Sequence, residues 1–319
     1  MNAILEWCMQ QSSEAPAVET AEQWVLHWPA HVNDWASTVM LAIAGGFKAD
    51  RLAWAFASGY QGAIRAIVRQ AEAHEIFAFC ATETVSNPLI VNTKWRYSES
   101  GKVIVNGIKS WAPMGHVCTS YLVACAELGA PEQTRPPQRV VRLASSTPGL
   151  KADPLPSGGI IPELGRARVQ LLDASTDASN MLEGDGWSTF IKPFKRVEAL
   201  HVAAAVLAHL LREGRSRKWP SSYMQRVLTS LAVLCDLSRD WSAAPMTNVV
   251  LADAIDNAHM LAIEAQVHWT RGELDESAAR WERDRGMLSI SAAVQERSAA
   301  RAWEHLHELQ PRQDSQNRT

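Results

Sequence analysis

At Ile76 the chain changes its hydrophobic period. The preceding stretch, "DRLAWAFASGYQGAIRAIVRQAEAH", repeats Leu52, Phe56, Tyr60, Ile64 and Ile67 at three and four residues, the spacing of one helix face. From Ile76 onward β-branched residues, two-residue alternation and turn dipeptides take over, and after Gly186 the helical spacing returns. A chain whose apolar residues follow those two periods in three successive blocks folds as helices, then a sheet, then helices. The expected architecture is α+β: a helical N-terminal domain over 1–76, a central antiparallel β domain over 77–180, a C-terminal four-helix bundle over 181–309 and a polar tail over 310–319.

Within the first block, Gly45-Gly46 is expected to separate two helices. In the β block, "KVIVNGIKSWA" puts Val103 and Val105 on one side, predicts a two-residue hairpin turn at Asn106-Gly107 and starts the return strand at Ile108. "SYLVACAEL", "RVVRLA" and "GRARVQLLDAS" read as further strands, with the proline-rich "GAPEQTRPPQ" as a loop. In the last block a helix starts near Pro193 and runs to about Arg212, with Val197, Leu200, Ala204, Leu207 and Leu211 as its apolar stripe. Further helices are expected over 221–238, 247–271 and 277–309.

Composition narrows the function classes. Of 319 residues 47% are hydrophobic and 20% charged, which suits a globular chain, and the net charge of −3 comes without a Lys/Arg block. Nucleic acid and anionic membranes are therefore not expected partners. The longest apolar stretch, Ala199–Leu211, is interrupted by His201 and His209 and is shorter than the roughly 20 residues of a membrane span. The N-terminus has no basic region of the secretory kind. Five cysteines without a C-x-x-C pair fit reduced thiols and a cytoplasmic protein.

Four segments in order, "FCATETVSNP" (79–88), "VNGIKSWAPMG" (105–115), "LLDASTDASNMLEGDGW" (171–187) and "IKPFKRVEALHVAAAVLAHLL" (191–211), resemble the acyl-CoA dehydrogenase superfamily. The resemblance spans about residues 77–305 and implies FAD as cofactor, an acyl-CoA or related substrate, and removal of a proton and a hydride from adjacent carbons. It implies flavin contacts from Thr82 and the neighbouring Glu83 of the Thr-Glu motif, and places Trp111 beside the isoalloxazine ring. Ser86 falls near the family's phosphate-contacting serine, although the glycine of that loop is missing. Pro113 stands where the family carries a threonine that hydrogen-bonds the flavin, and proline has neither hydroxyl nor N–H. The family's Gln-x-x-Gly-Gly-x-Gly segment is not found before residue 319. A homo-oligomer, or a hetero-oligomer with a related subunit, is likewise implied by resemblance.

For the chemistry, one branch of that family has its catalytic glutamate on the first bundle helix, and Glu198 in "RVEALHVAAAV" falls there. Phe194, Glu198, His201, Ala205 and Ala208 are expected to share a face on which small residues leave room for a ligand. Glu198 would then abstract a proton α to a thioester, with His201 as a second acid/base or orienting group. The alternatives are a surface Glu198 paired with Lys195 and a His201 satisfied inside the bundle. The pairs His259/His268 and His305/His307 have no carboxylate at metal-ligand spacing, so no metal is expected. The many tryptophans read as core packing, Trp111 excepted. Two other functions stay open: a flavin-deficient structural or partner subunit, and a non-redox protein that binds an acyl ligand.

Overall fold

The first block forms α1 (Asn2–Gln10), α2 (Ala21–His27), α3 (Pro29–Val32), α4 (Thr38–Lys48) and α5 (Leu52–Ile67). The computed structural model describes residues 2–32, 34–68, 70–83, 91–129, 136–239, 244–271, 275–290, 300, 302–304 and 306. Among these residues no helix is long and apolar enough to cross a membrane. Thr20 caps α2 by accepting a hydrogen bond from the Gln23 N–H at 3.3 Å. Gly45 and Gly46 do not separate two helices; both lie inside α4. A Cβ on Gly46 would sit 2.2 Å from the Ala205 carbonyl oxygen, and one on Gly59 of α5 would sit 2.6 Å from Val202 Cα. The glycines let two helices press their backbones onto a third, a tertiary benefit that outweighs their weak helix propensity.

The sheet contains β1 (Phe77–Cys80), β2 (Lys94–Tyr97), β3 (Val103–Pro113), β4 (Ser120–Glu127), β5 (Gln138–Ala144), β6 (Leu150–Pro154) and β7 (Arg166–Thr176). Its order is β1-β4-β2-β3-β7-β6, with β5 paired along the other side of β4. Most ladders are antiparallel, while β1 and β2 run parallel to β4. The hairpin expected at Asn106-Gly107 is absent: β3 passes straight through it, with a register shift between Val105 and Gly107 against β7. The turn lies earlier, where Ser98 N–H donates to Lys102 O at 2.8 Å and Gly101 takes φ +78°. Asn106 is used across the ladder instead. Its Nδ2 donates to Asp173 Oδ1 at 2.9 Å, and its Oδ1 accepts from the Asp173 N–H at 2.8 Å.

A π-helical turn over Gly186–Ile191, capped by Asp185 on the Ser188 N–H at 2.8 Å, leads into α6 (Lys192–Ser216). Pro193 occupies its first turn as expected, and the helix continues past Arg212. Next come α7 (Ser221–Leu237), α8 (Pro245–Trp269) and α9 (Glu276–Asp284), followed by a 3-10 turn over Arg285–Ile290. The helix expected from 277 is interrupted after Asp284 by that 3-10 turn; residues 291–299 lie outside the described part, and 300, 302–304 and 306 are helical again. Helix α6 is the hub, packed against α4, α5, α7 and α8. Leu200, Ala204, Leu207 and Leu211 of its stripe are fully buried.

Most described tryptophans pack in the interior as expected. Trp24 stacks on Trp28 with centroids 4.9 Å apart, and Trp269 on Trp281 at 5.8 Å. Trp303 is exposed, and Trp241 lies outside the described residues. All five cysteines are free and buried, and burial pushes the thiols of Cys8, Cys80 and Cys125 up to about 12.

Candidate functional site

A cavity of about 490 Å³ lies between the end of β3, the start of β7 and helix α6, within the size range of small-molecule sites. Lys195, Glu198, Ala199, Val202 and Ala203 form its α6 wall, a stripe at i, i+3, i+4, i+7 and i+8. Trp111 and Pro113 come from β3, Arg166 from β7, Phe56 from α5 and His259 from α8. The chain over 157–165 and Met287 and Leu288 complete it. That covering segment is pinned: the Ile161 N–H donates to Asp284 Oδ1 at 2.8 Å, and Glu163 pairs with Arg283 at 2.7 Å and with Arg51 at 3.5 Å.

Glu198 is half-buried and faces the cavity. Loss of hydration pushes its carboxyl up to about 7, against the opposing influence of Lys195. His201 lies off the stripe. It is fully buried, with Nδ1 2.8 Å from Val197 O and Nε2 2.9 Å from Thr38 Oγ1. A carbonyl only accepts, so Nδ1 carries the proton and Nε2 accepts from the Thr38 hydroxyl. Burial lowers this imidazole to about 4 and keeps it neutral. The face expected to join Glu198 and His201 is thus divided, because three residues turn a helix by about 300° and aim the two side chains at different neighbours.

Trp111 is 47% exposed on the cavity wall, with the Arg166 guanidinium 4.3 Å from its ring centroid. Arg166 is the register partner of Pro113 in the β3–β7 ladder. Its Nε is sheltered from solvent and has no hydrogen-bond partner among the described residues. Such an orphaned donor costs about 1–3 kcal/mol. Arg65, Arg212 and Arg280 also shelter an unpaired Nε, yet each uses its other nitrogens on a carbonyl or carboxylate. Arg166 has no such bond. Arg166 does not stand out in the sequence and His259 enters it only in the His259/His268 pair; a ladder register and a helix crossing bring the two here.

Thr82 and Glu83 do not line the cavity. Thr82 is half-buried, and its carbonyl accepts from the Ser110 N–H at 3.2 Å. The Glu83 carboxylate is buried and fully engaged: Lys109 Nζ lies at 2.8 Å, the Thr93 N–H at 2.9 Å, and the Asn92 N–H donates as well. The Lys109 ammonium, itself fully buried, takes this carboxylate as its counter-ion. Ser86 and the pair His305/His307 lie outside the described residues. No cluster of three or more His, Cys, Asp or Glu side chains that could hold a metal occurs among the described residues.

The helix–sheet–helix order and the cavity between β3 and the bundle define an acyl-CoA dehydrogenase fold. Butyryl-CoA dehydrogenase from Megasphaera elsdenii superimposes with a TM-score of 0.68 at 15% identity, covering 90% of this chain and 91% of that one. Glutaryl-CoA dehydrogenase from Mycobacterium smegmatis gives 0.66 at 13%, covering 95% and 93%. FMN-bound TdsC from Paenibacillus sp. A11-2 gives 0.66 at 13%, covering 88% and 84%. No protein-family model and no curated protein sequence matches the chain.

The residues present fit the face of a flavin ring better than its edge. Trp111 offers a half-exposed aromatic wall to a flat ring system. Pro113 offers no donor at the edge, and the next two N–H groups are used internally, Met114 on Gly165 O at 3.2 Å and Gly115 on Ala112 O at 3.0 Å.

Proposed function

We propose that this chain is a flavin-dependent oxidoreductase of the acyl-CoA dehydrogenase type, in which Glu198 removes the proton α to an acyl thioester bound in the α6 cavity. The observation that carries this reading is the place of Glu198 on the α6 wall of a cavity that Trp111 also lines, where burial raises its carboxyl to about 7. A base with that pKa is substantially ionised at neutral pH and still binds a proton firmly once it has taken one. Ala199 and Ala203 leave space beside the carboxylate, and Phe56, Val202 and Leu288 add apolar surface to the cavity wall. FAD, when bound, supplies the acceptor for the hydride equivalent, with Trp111 as its aromatic wall and Thr82 and Ser86 as further contacts. His201 acts in this reading through the core: it fixes α6 against α4 and leaves proton transfer to Glu198.

Exposed Met260, Ile263 and Val267 on α8 support a homo-oligomer contact on that helix, and we place the protein in the cytoplasm. Pro113 favours a second reading, a subunit of the same fold that lacks flavin. The visible spectrum of purified protein, with identification of the cofactor released on denaturation, separates the two. Stoichiometric FAD is expected; a colourless protein that takes up no added FAD establishes the second reading.

A further inference from the structure

We propose that the cavity binds an organic anion through Arg166, a small ligand with one carboxylate head on the guanidinium and an apolar body laid along α6. The cation is built in rather than merely present. Arg166 is seated over Trp111, lines the cavity and shelters its Nε without any hydrogen-bond partner among the described residues. Glu163, which lines the neighbouring groove with Arg166, is already shared by Arg51 and Arg283. A guanidinium without a counter-ion in a partly dry wall is a standing demand for an anion, and its planar fork matches a carboxylate.

The surroundings set the size and charge of the ligand. Arg166 and Lys195 are the lysine and arginine side chains on the cavity wall, too few for a polyphosphate and sufficient for one carboxylate. Ser157, Gly158 and Gly159 leave the guanidinium approachable: a Cβ on Gly158 would stay 3.8 Å from Arg166 Nη1, and one on Gly159 would meet nothing within 4 Å. Ile160, Leu164, Val202 and Leu288 supply the apolar surface beyond it. The inference shares with the proposed function the assignment of this cavity as the ligand site, but it needs no flavin.

The test titrates full-length protein as purified, its flavin content recorded, with hexanoate, hexanamide and hexyl phosphate by calorimetry. Hexanoate is expected to bind at least about ten-fold tighter than hexanamide, the usual value of a charged hydrogen bond. Arg166→Gln removes that difference by weakening hexanoate more than hexanamide, and Arg166→Lys restores part of it. Equal affinity for hexanoate and hexanamide in the wild type, or no binding of either, overturns the inference, and a preference for hexyl phosphate replaces the carboxylate by a phosphate. A colourless protein that discriminates the two ligands loses the oxidoreductase reading and keeps this one. A yellow protein that does not discriminate them does the reverse.

Discussion

Strand β3 carries Lys109 into one charged cluster and Trp111 to the edge of another, and the two are built on opposite terms. Around Lys109 every charge is answered. Burial alone would raise the Glu83 carboxyl, but the Lys109 ammonium and two backbone N–H groups outweigh it and hold the group below the usual range. Around Trp111 the charges are left open: Arg166 has no counter-ion among the described residues, and Glu198 is pushed toward the neutral form. A closed pair fixes the sheet and is inert to solutes. An open set leaves polar groups on a cavity wall without partners, so the same strand is framework at one end and lines the cavity at the other.

The sharpest way to break this contrast is to neutralise each cluster in turn. Glu198→Gln is expected to lower turnover by about 10²–10⁴-fold, the range of a lost general base, with released FAD unchanged. Steady-state rates with flavin quantified on the same sample check it, and unchanged turnover removes the base assignment. Lys109→Met strands Glu83 in the interior and is expected to cost about 3–5 kcal/mol in urea unfolding. A loss below about 1 kcal/mol, the size of an exposed pair, means that the cluster is not closed as described.

Acid unfolding sharpens the comparison by separating framework from site. His201 and His209 are held neutral by burial, each lowered to about 4 from the ordinary 6.5. Their folded pKa values lie below the unfolded value, so their neutral forms contribute fully above about pH 6.5, and that contribution falls away toward pH 4. A stability profile flat between those limits contradicts their buried, neutral state. The smallest loss is expected at Arg166: Arg166→Met removes no hydrogen bond among the described residues and relieves the orphaned Nε, so the unfolding free energy stays level or rises, by up to about 1–3 kcal/mol. A loss as large as that of Lys109→Met would place Arg166 in the framework.

Much of the architecture is written locally. The change of period at Ile76 and its return after Gly186 foretell the sheet between two helical blocks, and the helical spacing of α6 puts Glu198 beside small residues on what is the cavity wall. What escapes is what depends on approach between distant segments. Gly45-Gly46 reads as a break because its use, contact with Ala205, lies on a helix about 160 residues away. Asn106-Gly107 has the local chemistry of a hairpin turn, yet Asp173 across the ladder claims the asparagine. Arg166 enters the site as register partner of Pro113, a pairing no spacing in the sequence reveals. His201 lies on the same helix as Glu198, only three residues away, and its exclusion from the cavity follows from Thr38 on α4.

The proposed chemistry requires Glu198 to be held in a protonation-competent cavity, and urea unfolding of the wild type and Glu198→Gln from about pH 5 to about pH 8.5 addresses that directly. The charged or titratable groups facing it are Lys195 on its own helix, Tyr60 of α5, His259 of α8 and Arg166 of β7. Burial lowers His259, which leaves this imidazole mostly neutral over the upper part of that range. The folded Glu198 pKa of about 7 lies above the ordinary 4.5, so its contribution is complete below about 4.5 and is lost as pH rises through 7. The variant, a mimic of the protonated acid, is predicted to gain on the wild type across that window and to hold a constant lead above it. Parallel curves at every pH would mean that Glu198 titrates as a surface carboxylate, and the α6 cavity would lose its base.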